Sequence, residues 1–319
     1  MKPEINLGVT ESAVLFIMFN RVAEAERSFA AVKQARPLRL YLSADGPRSH
    51  VKGEQGICAE VRARVESMID WPCEVNTHYG TKNVGCGRFV SEAISRALRT
   101  EERLIIVEDD CVAAPDFFLF CDELLAFYAK DERVGMIAGS QFAPGGWNKG
   151  GASYSFAWMG QIWGWATWRR AWQRYDFEMK EWPAARKAGW IDAIFKEREL
   201  RRYWTARFDE AGSIDSWDYQ WTFARWRAQQ LAIVPRVNLV TNIGFGPRAT
   251  HTIISGHPAA DLPSHKLDFP LVHQNTAGND RLLDSATAKI LLSWGGVGGW
   301  LRFHLWSRLT CLRRALIEE

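Results

Sequence analysis

The stretch RLIIVEDDCVAAPDFF, residues 103–118, joins an apolar run to three consecutive acids and then to a helix-forming segment. In its first part, RLIIV, the residues after Arg103 are continuously apolar rather than alternating, which is typical of a strand covered on both faces of a sheet. Glu108, Asp109 and Asp110 follow at the end where such a strand leaves the sheet, and Pro115 favours the first turn of a helix. The stretch therefore predicts a buried strand, an acidic loop and a helix.

The same succession of apolar runs and helical segments fills the first half of the chain. Because strands that alternate with helices form right-handed crossovers, the pattern predicts a mostly parallel, Rossmann-like α/β sheet flanked by helices. The predicted strands are 13–20, 38–44, 73–79, 103–107 and 134–139, and the predicted helices are 22–35, 60–69, 87–100 and 115–130. Ligands of such sheets bind at the carboxyl ends of the strands, so the acids lie on the edge that matters for function.

The second half of the chain has a different composition. Twelve of the sixteen tryptophans lie between Trp147 and Trp226, and glycine-rich sequence precedes them. Helices are predicted near 184–202 and 217–230, with no repeat and no independent domain. We expect this half to pack onto the first and to supply one wall of a cleft.

Composition limits the classes of partner and compartment. The 40 Lys and Arg residues nearly balance the 37 Asp and Glu residues, so no nucleic-acid partner is expected. The six cysteines have no CxxC or other zinc-ligand spacing, and the first residues, MKPEINLGVTES, lack the apolar core of a signal peptide. No apolar run approaches the length of a transmembrane helix. We therefore expect a folded, cytoplasmic protein.

Three adjacent carboxylates repel one another, and one acid would be enough to begin the helix that follows. Their repulsion is relieved where a divalent cation, Mn or Mg, or a donor-rich ligand neutralises them, and such ions commonly bind one or two carboxylates together with substrate phosphates. The acids thus indicate a metal-diphosphate site. The alternative is an ordinary loop that ends a strand.

Other phosphate motifs are weak. Gly85 and Gly87 form GxG before a helix without the third glycine of a dinucleotide fingerprint, and there is no GxxxxGK[ST], which disfavours Rossmann dehydrogenases and P-loop enzymes. Arg88 and the backbone amides at the start of that helix remain candidates for an anion contact. The alternative for Arg88 is a solvated position on the helix.

Taken in order, these residues resemble the GT-A nucleotide-sugar glycosyltransferases, whose hallmark is a DxD-type motif, often EDD, at the end of a strand. The nearest likeness is to N-acetylglucosaminyltransferase I type enzymes and to bacterial hemolysin-like cytosolic glycosyltransferases. It covers about residues 13–250 and rests on Asn20-Arg21 after the first strand, Asp45 after the second, EDD after the fourth, IWGWATWRRAW at 162–172 and SWDYQW at 216–221.

The resemblance implies metal-dependent transfer of a sugar from a nucleotide-diphosphate donor, such as a UDP-sugar, to a hydroxyl of a glycan or lipid-linked saccharide. Synthesis of surface polysaccharide or lipopolysaccharide is the expected setting. The implied roles are nucleotide or diphosphate contact for Asn20 and Arg21, base recognition for Asp45, sugar and ribose contact for Glu108 and Asp109, and direct metal ligation for Asp110.

One later motif departs from the family. Where the family has two adjacent acids in WDDW, with the second as catalytic base, Trp217-Asp218 is followed here by Tyr219. Asp218 is our first candidate for the base, and Asp215 is the second. An acid on the opposite side of the sugar implies in-line attack and inversion. The competing interpretation is that Asp215 or Ser216 caps a helix that begins near Trp217.

Further candidates lie in the second half. Many enzymes of the family complete the metal or diphosphate site with a late histidine, which here implies His251, with Arg248 nearby; a lone histidine is otherwise an ordinary hydrogen-bonded residue. Indole rings cover the apolar faces of sugars, so Trp165 and Trp217 are placed near the donor or acceptor. Trp168 and Trp172, four apart on a predicted helix, are expected to pack into the core.

We predict a glycosyltransferase domain over 1–285, with a nucleotide-binding half at 13–139 and an acceptor-binding half at 140–285. An amphipathic helical tail follows at 286–319. Its leucines form one stripe, while Trp300 and Trp306 can anchor at an interface, so the helix is expected to touch the inner-membrane surface, to dock on the domain or to join a homodimer.

Two other classes of function compete with transfer. A sugar-nucleotide nucleotidyltransferase would need a glycine-rich basic loop directly after the first strand, and FNRVAEAERS has no glycine. A non-catalytic carbohydrate-binding protein would account for the tryptophans. It would not account for Arg21, Asp45 and the acids at one sheet edge.

Overall fold

A sheet of eight strands forms the centre of the protein, and helices cover both of its faces. The structure, a computed structural model, describes residues 9–143, 151–245, 262–274 and 277–295. The strands are β1 Ala13–Met18, β2 Arg39–Ala44, β3 Glu74–Tyr79, β4 Arg103–Glu108, β5 Cys111–Ala113, β6 Val134–Ala138, β7 Tyr154–Ala157, β8 Trp165–Trp168, β9 Leu231–Pro235 and β10 Val240–Asn242. The helices are α1 Val22–Ala35, α2 Glu54–Ser67, α3 Cys86–Thr100, α4 Pro115–Phe127, α5 Arg169–Trp172, α6 Trp182–Lys187, α7 Ile191–Ile194, α8 Arg198–Glu210, α9 Asp218–Arg227 and α10 Arg281–Gly295.

The strand order is β3-β2-β1-β4-β8-β6-β9-β7. β1 is parallel to β2 and β4, β2 is parallel to β3, and β6 is parallel to β9. β8 is antiparallel to both β4 and β6, and β7 is antiparallel to β9. Strands β3, β2, β1, β4, β6 and β9 therefore run in one direction, which confirms the predicted α/β sheet. Three of these eight strands, β7, β8 and β9, come from the second half of the chain.

Each face of the sheet has its own apolar core. On one face, α1, α2 and α4 pack aromatic and aliphatic side chains such as Phe29 and Phe117 against the strands. On the other face, α3 and α9 pack against Trp165 and its neighbouring tryptophans. Because both faces are covered, the central strands need apolar residues at every position, which is why their runs are continuous.

The predicted elements of the first half are confirmed to within a few residues, with one exception. Helix α2 begins at Glu54, six residues before the predicted start at 60. The side chain of Glu54 is 1% exposed and binds both the nearby Arg48 and the distant Asn20, so contacts outside the helix fix a first turn that has no apolar periodicity. Trp168 also differs from its prediction, because it ends strand β8 and does not lie on a helix, although it is buried as expected.

Membrane crossing requires about 20 consecutive apolar helical residues. Among the described residues, the longest helices are α3 and α10, with 15 residues each, and none of the helices there is long and apolar enough to span a membrane.

Candidate active site

The acidic loop lies at the carboxyl edge of the sheet, beside the end of β1. Glu108 ends β4 and pairs in register with Ile17 of β1. Nη2 of Arg21 donates to Oδ1 of Asp109 at 2.7 Å and to Oδ2 of Asp110 at 3.1 Å. The backbone N–H of Phe19 donates to the other oxygen of Asp109 at 3.0 Å. One arginine therefore ties the two acids to the first βα connection, which the parallel pairing of β1 and β4 brings to the same edge of the sheet.

The carboxylates at this edge are only partly neutralised. Burial raises the pKa of Glu108 above its ordinary value, and the charges of Asp110, Asp109 and Asp218 raise it further. Burial likewise raises the pKa of Asp109, although Arg21 works in the opposite direction. Perturbed acids that cluster at a strand edge are a common mark of a functional site. A cation or a donor-rich ligand would relieve this excess of negative charge.

Asp110 is held by its backbone while its side chain faces a glycine. The N–H of Ile243 donates to the carbonyl oxygen of Asp110 at 2.8 Å, next to the short antiparallel pair of β5 and β10. A Cβ atom added to Gly244 would lie 2.0 Å from Oδ2 of Asp110. Only glycine leaves space for that carboxylate, whose Oδ2 also accepts the hydrogen bond from Arg21.

The donor set fits a cation that is shared with a substrate. Within the described ranges, no group of three or more His, Cys, Asp or Glu side chains is arranged to hold a metal ion. Mg and Mn ions are often bound by one or two carboxylates and completed by substrate phosphates, so Asp110 with a diphosphate is a chemically suitable pair. Asp109 is less suitable because Arg21 and the Phe19 amide bind its two oxygens at 2.7 and 3.0 Å, whereas the partners of Asp110 are more distant, Arg21 at 3.1 Å and the Cys111 thiol at 3.5 Å.

Asp45 has a different environment from the one expected. Its carboxylate accepts hydrogen bonds from the N–H of Gly46 at 2.7 Å, from Nδ2 of Asn83 at 2.9 Å and from the N–H groups of Val84 and Gly85 at 3.1 Å each. It is 6% exposed, and burial raises its pKa despite these bonds. Because both oxygens are already used, Asp45 organises the loop before α3, and a base contact would have to replace one of these bonds.

Asn20 also has a neighbour that the sequence did not reveal. Its Nδ2 donates to Oε1 of Glu54 at 2.8 Å, and the same carboxylate binds the side chain and the backbone N–H of Arg48. These contacts connect the end of β1 to the start of α2. Asn20 therefore shapes the edge of the cleft through Glu54, for which the sequence carried no signal.

Asp215 occupies the amino terminus of α3. Its two oxygens accept the N–H groups of Cys86 at 3.0 Å and Gly87 at 2.8 Å. A Cβ atom at Gly85, where φ is +90°, would lie 2.7 Å from Oδ1 of Asp215. The anion expected at these amides is thus a side chain of the protein itself. The predicted capping role is also corrected, because the helix that Asp215 caps is α3 and not the one that follows it.

Asp218, the first candidate for the base, accepts no backbone amide among the described contacts. It is the first residue of α9, it is partly exposed, and Oγ of Ser216 donates a hydrogen bond to it. Burial raises the pKa of the Cys86 thiol well above its usual value, and Glu108, Asp215, Asp218 and Asp110 all add to that effect. Asp218 therefore belongs to the same acidic surroundings as the EDD motif, more than 100 residues away in sequence.

The predicted sugar-stacking tryptophans lie in the core. Trp165 is 0% and Trp217 is 2% exposed, and their rings stack on each other with centroids 5.4 Å apart. Neither indole presents a face to a ligand, because both rings are buried in the core. There they stabilise the packing of α3 and α9 on the sheet. Arg88 lies on the surface, where its guanidinium is over the ring of Phe177 and 3.4 Å from Glu178.

Two predicted residues, His251 and Arg248, lie outside the described residues, as does most of the predicted tail at 286–319. Gly244 has no predicted role, although it belongs to the glycine-rich stretch TNIGFGPRATHT at 241–252. The glycines close to His251, a predicted metal ligand, are the sequence signal that points to Gly244.

Comparison with known proteins gives weak similarities only. No protein-family model and no curated protein matches the chain. Among solved structures, a mannosyltransferase from Pyrobaculum calidifontis in complex with GDP-Man and Mn²⁺ is 15% identical, with a TM-score of 0.35, over 51% of this chain and 46% of that one. A cytidylyltransferase from Leptospira borgpetersenii is 6% identical, with a TM-score of 0.31, over 52% and 63% of the two chains.

A putative glucose-1-phosphate thymidylyltransferase from Bacillus anthracis is 7% identical, with a TM-score of 0.41, over 80% of this chain and 98% of that one. The chain spans less than half of the mannosyltransferase and less than two thirds of the cytidylyltransferase. Likeness this low does not assign the chain to either class of enzyme.

Proposed function

We propose that this chain is a metal-dependent, inverting glycosyltransferase that uses a nucleotide-diphosphate sugar, such as a UDP-sugar. The observation that carries the proposal is the acidic edge itself, where Arg21 binds Asp109 and Asp110, and the charge of Asp218 from the second half adds to the raised pKa of Glu108. Glycosyl transfer needs both a cation-binding edge and a separate base for the acceptor hydroxyl. Asp215 is a poorer base because its oxygens already accept two backbone amides.

In this proposal, each polar side chain at the edge has one task. Asp110, with the donor's phosphates, holds a divalent cation, Mn or Mg, which would supply Lewis-acid stabilisation of the leaving diphosphate. Arg21 keeps Asp109 and Asp110 in place and adds positive charge near the phosphates. Glu108 accepts hydrogen bonds from the sugar, and Asp218 removes the proton of the attacking hydroxyl. The acceptor in this proposal is a glycan or a lipid-linked saccharide. It is an intermediate in the synthesis of surface polysaccharide in the cytoplasm.

The first βα connection argues against a nucleotidyltransferase. β1 ends at Met18 and α1 begins at Val22, which leaves three residues between them, and none is glycine. A loop this short has no run of free backbone amides with which to surround a triphosphate. Arg21, its last residue, is already bound to the acids.

A screen of nucleotide sugars tests the proposal. Thermal shift and donor hydrolysis would be measured with UDP-, GDP- and dTDP-sugars, with and without Mn. We expect one nucleotide to raise the melting temperature only when Mn is present, because a ligand that binds the folded state stabilises it. Asp110→Asn should lose this metal-dependent shift. Asp218→Asn should keep it and lose turnover by roughly 10²–10⁴-fold.

Glu178→Gln is the matched control, since its carboxylate is 60% exposed and pairs only with Arg88 among the described contacts. It should behave like the wild type in both assays. Absence of a metal-dependent response to every nucleotide would reject the proposal, and so would undiminished turnover in Asp218→Asn. Release of pyrophosphate from a nucleoside triphosphate and a sugar phosphate would instead identify a nucleotidyltransferase.

A further inference from the structure

An exposed aromatic ring lies at the end of α4 that is remote from the acidic loop. Phe127 is the last residue of α4 and is 57% exposed. Since Pro115 begins the helix next to the acidic loop, a rise of about 1.5 Å per residue puts Phe127 roughly 18 Å further along the helix. Burial in the core does not explain this ring, and the proposed transfer does not use it.

The ring of Phe127 stacks on the imidazole of His273, which is itself held by hydrogen bonds. Phe127 and His273 are stacked with centroids 4.1 Å apart and planes at 4°. Nε2 of His273 is 3.0 Å from Oε1 of Glu123, and its Nδ1 is 2.9 Å from the hydroxyl of Tyr154. That hydroxyl is 2.6 Å from the hydroxyl of Tyr128. Because both imidazole nitrogens are bonded, His273 cannot turn, and Phe127 rests on a fixed platform.

Polar side chains lie beside the stacked rings of Phe127 and His273. Phe127 and His273 line a pocket of about 410 Å³ together with Asp131, Arg133 and Gln274. Nε and Nη2 of Arg133 donate to the two oxygens of Asp131 at 2.9 and 2.7 Å, so the pair forms a fixed, planar array. Nε2 of Gln274 donates to the carbonyl oxygen of Tyr154 at 3.0 Å. Within the described ranges, no donor binds its Oε1. Pockets of this volume are typical of small-ligand sites.

The chemistry of these groups selects one class of ligand. The charges of Asp131 and Arg133 cancel, which gives no attraction for phosphates or anionic headgroups. A pre-organised aromatic face beside fixed donors and acceptors instead suits a ligand with one apolar face and hydroxyls around its rim. A hexose has that form. We propose that this pocket binds a neutral saccharide unit of a glycan, at a site separate from the acidic edge.

A binding experiment tests this site without donor turnover. Saturation-transfer difference NMR and titration would be run on the full chain with maltohexaose, cellohexaose, chitohexaose and mannohexaose. We expect at least one of them to bind, with saturation strongest on protons of a ring face. Phe127→Ala should weaken that binding roughly three- to tenfold, as loss of one aromatic contact implies. Phe127→Tyr, which keeps the ring face, should bind as the wild type does.

Leu38→Ala is the matched control, because Leu38 is also a large exposed apolar side chain, at 47%. It should leave saccharide binding unchanged. No binding of any of the four probes would overturn the site, and so would an equal loss in Phe127→Ala and Leu38→Ala. Either failure leaves the donor proposal standing, since nucleotide binding at the acidic edge is measured separately.

Discussion

Among single residues, Gly244 has the tightest spatial constraint at the acidic edge. Any side chain there would place a Cβ atom 2.0 Å from Oδ2 of Asp110, well inside contact distance. The N–H of Gly244 is also bonded to Oδ1 of Asn242 at 2.7 Å, so the backbone has little freedom to retreat. The position of the Asp110 carboxylate therefore depends on the absence of one methyl group.

We predict that Gly244→Ala displaces Asp110 and lowers the affinity for a Mn-nucleotide complex by about tenfold or more, equivalent to ~1.4 kcal/mol. The melting temperature without ligand should also fall, because the added Cβ would lie 2.8 Å from Cβ of Asp110 and the backbone has little freedom to move away. Calorimetric titration of the wild type and of Gly244→Ala with a Mn-nucleotide complex would measure the two affinities. Gly278→Ala is the control, since a Cβ there meets no heavy atom within 4 Å. Equal affinities in the two variants would contradict the prediction.

At the scale of elements, α3 depends on a residue far away in the chain. Asp215 binds the first two amides of the helix from a position 128 residues beyond Gly87. A carboxylate at a helix amino terminus satisfies amides that have no partner within the helix and also interacts favourably with the helix dipole. Asp215 thus joins the two halves of the chain at the same edge where Asp218 and Glu108 lie.

We predict that Asp215→Ala lowers the free energy of unfolding by about 1–2 kcal/mol, as loss of an N-terminal cap usually does. Urea unfolding would measure the change, with Ser213→Ala as the control, because Oγ of Ser213 donates only to a carbonyl oxygen at the surface. Asp218→Asn should be nearly neutral in the same assay. A stable Asp215→Ala enzyme that has lost turnover would instead make Asp215 the base.

At the scale of the whole molecule, α10 packs against β7 and α8 and carries one buried acid, Asp284. Asp284 is 7% exposed, and its oxygens accept the N–H groups of Trp158 at 3.2 Å and Met159 at 3.0 Å. The buried Arg225 contributes attraction from α9. Burial dominates nevertheless and raises the pKa of Asp284 from 3.8 to about 6. The docked helix therefore carries a carboxylate that holds its proton more tightly in the folded state than in the unfolded one.

Stability should follow the titration of Asp284. Between pH 4 and 6 the folded state binds more protons at this residue, so the free energy of unfolding falls as pH rises through that window and recovers as pH falls. The contribution is at most about 3 kcal/mol. Urea unfolding at pH 4.5 and 7.5 should show a smaller pH effect in Asp284→Asn than in the wild type. Asp268→Asn, at a side chain 98% exposed, should match the wild type. An unchanged pH effect in Asp284→Asn would refute this assignment.

The sequence by itself determined the parallel strands of the first half and the location of the acidic edge. Strands covered on both faces must be apolar throughout, so their runs could be read directly, and the acids that follow RLIIV at 103–107 had to lie where β4 ends. The sequence also placed Arg21 at this edge, with a predicted contact to the nucleotide or its diphosphate, but its ion pairs with Asp109 and Asp110 appear only in the structure.

Only the tertiary structure decided which polar residues are free for chemistry. Asp45, Asp215 and Asp218 carry the same kind of side chain. Backbone amides from distant parts of the chain nevertheless bind the oxygens of Asp45 and Asp215. Trp165 and Trp217 are likewise removed from the site by stacking on each other. Hydrogen-bond partners and burial depend on contacts between segments that are far apart in the chain. Local sequence patterns carry no information about these tertiary contacts.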